Sequence, residues 1–444
     1  MAKRLQSTTS WLRWLTPGLE IKRWLLLLMA SEVVLVLGVA YALKEIYKTF
    51  TLPPQFYYIT LQFLPYWGRA VIFGVLGVGI LLFSYVKLTQ SVLGPFLPGV
   101  NGTSVVEVIH AFRLRGRGPR IVAIGGGTGL SSLLRGLKTY TSNLSVIVTV
   151  ADDGGSSGRL RREHGILPPG DFRNNIVALA EVEPLMARLF QYRFEQGSVL
   201  GGHSFGNLFV LAMTGVTGSF EHALRETSRV LAVQGVILPS TPQDVEICAE
   251  FTDGSEACGE SRIPEIGKPI SRLRIKPAHP AAQPEAVRAI LEADLVVLGP
   301  GSLYTSVIPN LLVEGIAKAL LQSDALKVYV CNVATQPGET DGYSVEAHVA
   351  ALVSHMPGQT NPLDVVIAPL HPTDAIAPQP GVTLVTARST GNSHPLIVLD
   401  DVVRDDHPLR HDPDKLAAVL MRVLKNEGHR RKGSMNGTVS AARV

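Results

Sequence analysis

The 444-residue chain predicts an α/β fold: a doubly wound, mainly parallel sheet with an added β-hairpin, preceded by two transmembrane helices. Three observations lead there. From Ile121 onward, short β-branched runs ending in Gly, Asp or Asn alternate with helical patterns, the signature of strands buried between two helix layers. Asp253-Gly254, between Cys248–Phe251 and the segment that follows, reads as a hairpin turn. Leu25 to Leu43 is apolar except for Glu32, and Ala70 to Val86 is uncharged, so both approach the roughly 20 residues that span a bilayer.

Taken in order, residues 1–23 form a basic N-terminus, and residues 24–88 a two-helix transmembrane hairpin. Lys3, Arg4, Arg13, Lys22 and Arg23 precede the first span, while Lys87 and the Arg113 to Arg120 cluster follow the second. The positive-inside bias then places both termini and the main domain in the cytoplasm of a multi-pass plasma-membrane protein. Tyr57, Tyr58, Tyr66 and Trp67 would lie near the opposite interface. Glu32 could mark an ion path or a polar contact to the neighbouring helix, and two helices make a poor transporter. Residues 89–118, rich in Gly and Pro, read as a linker, residues 119–427 as the main domain, and residues 428–444 as a disordered basic tail. The apolar segments account for the 46% hydrophobic share and the mean hydropathy of +0.22.

Charge divides along the same lines. Residues 1–120 carry +9 and residues 428–444 carry +4, which leaves −9 on residues 121–427. A mildly acidic main domain excludes a nucleic-acid-binding body, since phosphate backbones need a continuous basic face. The basic residues beside the apolar segments suit membrane lipid headgroups instead. Of the three cysteines, Cys248 and Cys258 flank the hairpin turn. A two-residue turn would set Cys258 opposite Ala249 and turn Cys248 to the other face, so no disulfide is expected, as in a reducing cytosol.

Within the main domain, strands are expected at Ile121–Ile124, Val146–Val150, Leu295–Leu298, Val328–Cys331 and Val365–Ile367. The first runs into Gly125, Gly126, Gly127, Thr128 and Gly129, then a helix. Glycines there let backbone N–H groups approach a phosphate, and the helix N-terminus adds partial positive charge. Leu130 stands where a dinucleotide fingerprint needs its third Gly, and no Lys-Ser/Thr completes a Walker A loop, which disfavours ATP hydrolysis. The next strand ends in Asp152 and Asp153, where a doubly wound fold places the acid that binds ribose hydroxyls. Either aspartate could instead hold Mg²⁺ on a diphosphate. The Gly/Ser run that follows includes Ser156 and makes an anion-wrapping loop, on which Arg159, Arg161 and Arg162 either close on phosphate or form a solvated helix face.

Further candidates sit at later turns. Pro168-Pro169-Gly170 leads into Asp171 and Asn174. His203 and Asn207, in Gly-Gly-His-Ser-Phe-Gly-Asn, either cap a helix or meet a ligand. Gly301, Ser302 and Tyr304 follow the strand at Leu298, their hydroxyls before a helix start. Asn332 and Thr335 follow the strand at Cys331. All occupy carboxyl ends of strands, where open α/β sheets bind ligands. No Ser-His-Asp order or HExxH motif occurs, and Pro408 breaks the helix that would make His407 and His411 metal ligands.

The strings IGGGTGLSSLLRGL, VTVADDGGSSGRLR, PPGDFRNN, GGHSFGN, GPGSLYTSVIPNLL and CNVATQPGETDGY resemble the YvcK branch of the CofD-like superfamily, the gluconeogenesis factors, over about residues 119 to 425. The resemblance implies a Rossmann-like sheet, binding of a UDP-sugar-type nucleotide sugar or a related nucleotide diphosphate, and roles in cell shape, wall precursor supply and carbon metabolism. It carries ligand contacts onto the Gly125 to Gly129 loop, Asp152, Asp153, Asn174, Asn207, Ser302, Tyr304 and Asn332. A homodimer is also expected. The CofD branch transfers a phospholactyl group from a nucleotide donor to a deazaflavin. This sequence shares its glycine turn and paired aspartates, yet carries the longer DDGGSSGRLR loop of the other branch.

Overall fold

The computed structural model describes residues 21–49, 53–93, 115–181, 184–197, 199–370, 381–388 and 395–441. They fall into two compact units, divided between Leu114 and Arg115. The first holds α1 (Ile21–Thr49), α2 (Gln55–Ile59) and α3 (Tyr66–Leu93). Arg69 closes the turn before α3, donating from Nε to Leu64 O at 2.7 Å and stacking over the Tyr66 ring.

Both apolar segments are thus helical, but the expected transmembrane hairpin is not supported. Among the described residues no helix is long and apolar enough to cross a membrane. The multi-pass location with cytoplasmic termini is corrected with it. The first twenty residues and most of the expected linker lie outside the described residues.

The second unit is built on a seven-stranded sheet in which every pairing is parallel. In chain order its strands are β1 (Ile121–Gly125), β2 (Leu144–Val148), β3 (Val236–Pro239), β7 (Leu295–Leu298), β8 (Leu326–Val330), β9 (Val365–Pro369) and β10 (Leu396–Asp400). Their spatial order is β10-β9-β8-β7-β1-β2-β3. β1, β7, β8 and β9 are buried along their whole length, as parallel strands covered by helices on both faces must be. The order reverses between β1 and β7, the switch point where doubly wound sheets open a crevice.

Each covering helix buries an apolar stripe. In α4 (Gly127–Leu137) the buried leucines are Leu130, Leu133, Leu134 and Leu137, spaced at i, i+3, i+4 and i+7. On its other side α4 meets α14 (Pro413–Ala441). A Cβ on Gly136 would lie 2.0 Å from Pro413 O, so glycine is what lets the two helices approach. α14 also runs through most of the segment expected as a disordered tail, since the apolar positions from Leu416 to Val423 start a helix that the following residues extend.

Between β3 and β7 a second, antiparallel sheet forms from β4 (Glu246–Phe251), β5 (Glu256–Cys258) and β6 (Ile270–Lys276), in the order β5-β4-β6. The hairpin is present, but its loop has three residues, Thr252, Asp253 and Gly254. Phe251 N–H donates to Ser255 O, and Gly254 takes φ +81°, a glycine conformation that closes such loops with a bulge. That extra residue moves the register by one, so Cys248 pairs with Cys258 and the two are disulfide-bonded. The expectation of no disulfide is therefore corrected.

Candidate functional site

A cleft of about 780 Å³ opens at the carboxyl edge of β1, β7 and β8, within the usual size for small-molecule sites. Its floor is made by two backbone turns. After β1 the chain turns at Gly126 and Gly127, and the latter's φ of +68° favours glycine. The N-cap residue Gly126 has no side chain to cap α4; the Gly127 N–H goes to Asp171, and the N–H groups of Thr128 and Gly129 face the cleft end of the helix, where an anion is favoured. After β7 the chain passes Gly299, Pro300, Gly301 and Ser302 before a π-helical turn, Leu303–Val307. The two turns touch backbone to backbone. A Cβ on Gly129 would lie 2.8 Å from Pro300 O, and one on Gly301 would lie 3.0 Å from Gly126 O. Buried Asn310 locks them together, donating from Nδ2 to Ser306 O at 2.8 Å and Gly125 O at 3.3 Å.

The other walls come from distant parts of the chain. Asn332 donates to Gln336 Oε1, and Gln336 Nε2 donates to Ser302 Oγ at 2.6 Å, joining the β7 and β8 ends. Asn174, on α6 (Gly170–Leu179), and Arg188 and Gln191, on α7 (Pro184–Gln191), form one side. Arg404, Arg410 and His411, before α14, form another, and Arg135 adds a further guanidinium from α4. Burial pushes His411 down to about 4, so its ring is neutral at ordinary pH; Nε2 donates to Cys331 O at 3.1 Å. The cleft thus sets uncapped backbone turns opposite a wall rich in arginine.

Of the residues expected from the sequence, Gly127, Thr128, Gly129, Asn174, Gly301, Ser302 and Asn332 line this cleft. Gly125 ends β1 and Gly126 begins the turn. Asp171 lies behind it: its Oδ2 accepts the Gly127 N–H at 2.7 Å, and burial, with help from Asp152, pushes its carboxyl up to about 6. Asp152 and Asp153 sit at the β2 end, outside the cleft lining. Asp152 Oδ1 accepts from Gly154 N–H at 3.0 Å, and Asp153 Oδ1 accepts from Ser261 N–H at 2.9 Å.

Those aspartates belong to a larger acidic group that the sequence did not reveal. Glu260, from the turn after β5, is pushed up to about 8 by burial and then by Asp152, Asp153, Asp171 and Glu339. Glu339 is itself buried and raised to about 7, accepting from Thr305 Oγ1 at 3.2 Å and Tyr304 N–H at 3.3 Å. No closed metal cage results. Among the described residues, the group whose donor atoms converge is Glu246, Cys248 and Cys258, and both its cysteines are in the disulfide.

The remaining expected residues serve the walls rather than the cleft surface. Ser156 Oγ bonds His203 Nδ1 and accepts from Asn207 Nδ2, both at 3.0 Å, with all three side chains buried. Next to them Arg173 reaches Ser204 Oγ, and Arg159 reaches Gly201 O at 2.8 Å. This network joins α5 (Gly155–His164) and α6 to α8 (Phe205–Thr217). Tyr304 is buried with its hydroxyl on that of Tyr343, and Thr335 is buried against Thr383.

Comparison with known proteins agrees with this architecture. The family model described as 2-phospho-L-lactate transferase CofD matches residues 121–426. A Nostoc sp. protein named "Putative gluconeogenesis factor" is 46% identical over 438 residues, 94% of each chain. The "Gluconeogenesis factor" of Bacillus subtilis is 54% identical over 241 residues, 54% of this chain and 76% of that protein. A crystal structure of a Bacillus halodurans protein superposes with a TM-score of 0.63 at 43% identity, over 68% of this chain and 99% of that one. With the parallel Rossmann-like sheet and its glycine turn in place, these matches show that the chain belongs to the CofD/YvcK family, beside proteins named gluconeogenesis factor.

Proposed function

We propose that the cleft binds a nucleotide sugar of the UDP-sugar type, and that the bound state regulates carbon metabolism, wall precursor supply and cell shape. The observation that carries this reading is the meeting of two glycine turns at the switch point opposite Arg135, Arg188 and Arg410, with Arg404 beside them already paired to Asp406. Backbone N–H groups at a helix start and guanidinium groups are complementary to a diphosphate, and the volume leaves room for a nucleoside and a hexose. The name shared by the relatives supports a role in gluconeogenic growth.

Mg²⁺ fits the same reading. Asp152 and Asp171 lie next to the turn that would hold the diphosphate, and burial raises both carboxyl groups. A dianionic ligand beside them would be repelled without a cation, and Mg²⁺ is commonly held by one or two carboxylates plus phosphate oxygens. Titration calorimetry of the full chain with UDP-N-acetylglucosamine, with and without Mg²⁺, tests both points. Micromolar binding that weakens at least tenfold on chelation is expected; no heat under either condition would overturn the reading.

A second reading, transfer of a phospholactyl group to a deazaflavin, is favoured by the description of the family model and by the raised carboxyl groups beside the cleft. Incubating the protein with a deazaflavin and a phospholactyl-nucleotide donor, and looking for product by mass spectrometry, decides between the two.

A further inference from the structure

We propose that Cys248 and Cys258 form a redox-sensitive latch that, when oxidised, fixes the turn carrying Glu260 and Ser261 against Asp152 and Asp153. The proposal stands on the carboxylate group itself and not on the identity of the cleft's ligand.

The cysteines face each other across β4 and β5 and are bonded. β5 has three residues and lies at the sheet edge. So short an edge strand supplies little pairing of its own, and the cross-link ties its C-terminal end to β4, upstream of the anchor that buried Ile263 gives the turn. The acidic turn begins at the very next residue. Gly259 N–H donates to Ile247 O at 2.9 Å, and Ser261 N–H donates to Asp153 Oδ1 at 2.9 Å. Gly259 has φ +103°, and a Cβ on it would come within 2.6 Å of Asp153 Oδ2, so the turn is packed directly on that aspartate. A Cβ on Gly154 would likewise find Asp152 Oδ1, Ser261 Cβ and Glu260 Oε2 within 4.0 Å. Whatever moves the end of β5 therefore moves the carboxylate of Glu260 and the amide that holds Asp153.

The surroundings of the disulfide suit exchange. Cys248 is buried and Cys258 half-buried, so an incoming thiolate meets Cys258 Sγ first. It forms a mixed disulfide there, and Cys248 leaves as a thiolate that takes up a proton. A second reductant thiolate attacks the reductant sulfur of that mixed disulfide and expels Cys258 as thiolate. In sum, the protein disulfide and two thiols give the protein dithiol and one reductant disulfide, and a small-molecule disulfide drives the reverse. Lys276 Nζ stands 3.2 Å from Cys258 Sγ, with Glu256 Oε1 3.8 Å from the same sulfur, so the nearer ammonium favours the Cys258 thiolate that departs in the second step and the carboxylate partly offsets it. Cys331 is buried on β8's far end and takes no part.

The test uses the full chain. Thiols are counted by maleimide mass labelling in denaturant before and after dithiothreitol, and amide hydrogen exchange is followed over residues 259–263. One reactive thiol before reduction and three after are expected. Exchange at residues 259–263 should quicken about tenfold or more on reduction. Cys258→Ser should show the fast exchange under both conditions, while Cys331→Ser should keep the redox response. Three thiols before reduction under oxidising buffer, or exchange that does not change on reduction of the unmodified protein, would overturn the latch. No ligand is present in these measurements, so failure here is separable from failure of the nucleotide-sugar reading.

Discussion

Asp171→Asn removes a charge while keeping an acceptor for the Gly127 N–H, and the structure fixes the sign of its effect. Burial pushes the Asp171 carboxyl from 3.8 up to about 6, Asp152 acting in the same direction and the Gly127 N–H and Arg173 against it. A shift of about two units corresponds to ~3 kcal/mol. Because the folded-state value is the higher one, the native state binds the proton more tightly than the unfolded chain. The stability this gives is fully present below about pH 4 and is lost as pH rises through 6. At pH 7 the ionised carboxylate therefore destabilises the fold. Asp171→Asn should be more stable than the parent by ~1–3 kcal/mol at pH 7 and nearly equal to it at pH 4. Urea unfolding followed by circular dichroism at both pH values measures this. A variant less stable than the parent at pH 7, or one with the parent's full pH slope, would refute the argument. The same substitution should weaken the Mg²⁺-dependent part of ligand binding, because a charge retained at such a cost is expected where function uses it.

Other predictions follow from the turns and the arginine wall. Gly129→Ala drives a Cβ to within 2.8 Å of Pro300 O, so it should cost ~1–3 kcal/mol in urea unfolding and also weaken ligand binding. Gly155→Ala, at φ +45° with open space around it, should cost ~1 kcal/mol and leave binding intact. If both variants bind equally well, the contact between the two turns does not shape the site. Arg135→Ala should lower nucleotide-sugar affinity ~10–100-fold, the worth of a charge-assisted hydrogen bond, with less than 2 °C change in melting temperature as an order-of-magnitude expectation for an exposed side chain. Calorimetry and a thermal scan together check it.

What the sequence disclosed and what it hid divide by the range of the interaction involved. Glycine turns are local devices, so the sites after β1 and β7 were legible from spacing alone, and the strand-helix alternation gave the parallel sheet. The hairpin was legible too, but not its register: Asp253-Gly254 suits a two-residue or a three-residue loop, and only the backbone of Gly254 decides. That one residue separates two unpaired thiols from a disulfide. Ser156, His203, Asn207 and Tyr304 read as ligand groups because a polar side chain in a motif has the same chemistry whether it faces a cleft or a buried neighbour. The packing of α8 and of the β7 turn sends them inward. Arg404, Arg410 and His411 gave no signal at all. They reach the cleft because α14 folds back on α4, a contact between segments nearly three hundred residues apart.

The geometry also changes what the glycine turn means. Gly126 stands between two electrostatic environments. On the cleft side are the start of α4 beyond the Asp171-bound Gly127 N–H and a wall of arginines, which favour an anion. Behind it, a Cβ would meet Asp171 Oδ2 at 2.6 Å, and beyond Asp171 lie Asp152 and Glu260, whose carboxyl groups are all pushed up. A site meant for an anion alone would not place three carboxylates behind its binding turn, since each raises the energy of the bound charge. A site meant for an anion with its cation would. Burial and the neighbouring carboxylates push Glu260 up to about 8, so it holds a proton at neutral pH, and a divalent ion arriving with a diphosphate would discharge that proton and relieve the repulsion among the group. Proton release on binding is the consequence that distinguishes the two cases: calorimetry in buffers of different ionisation enthalpy should give a heat that varies with buffer when Mg²⁺ is present, and a buffer-independent heat would mean that the acidic group takes no part in binding.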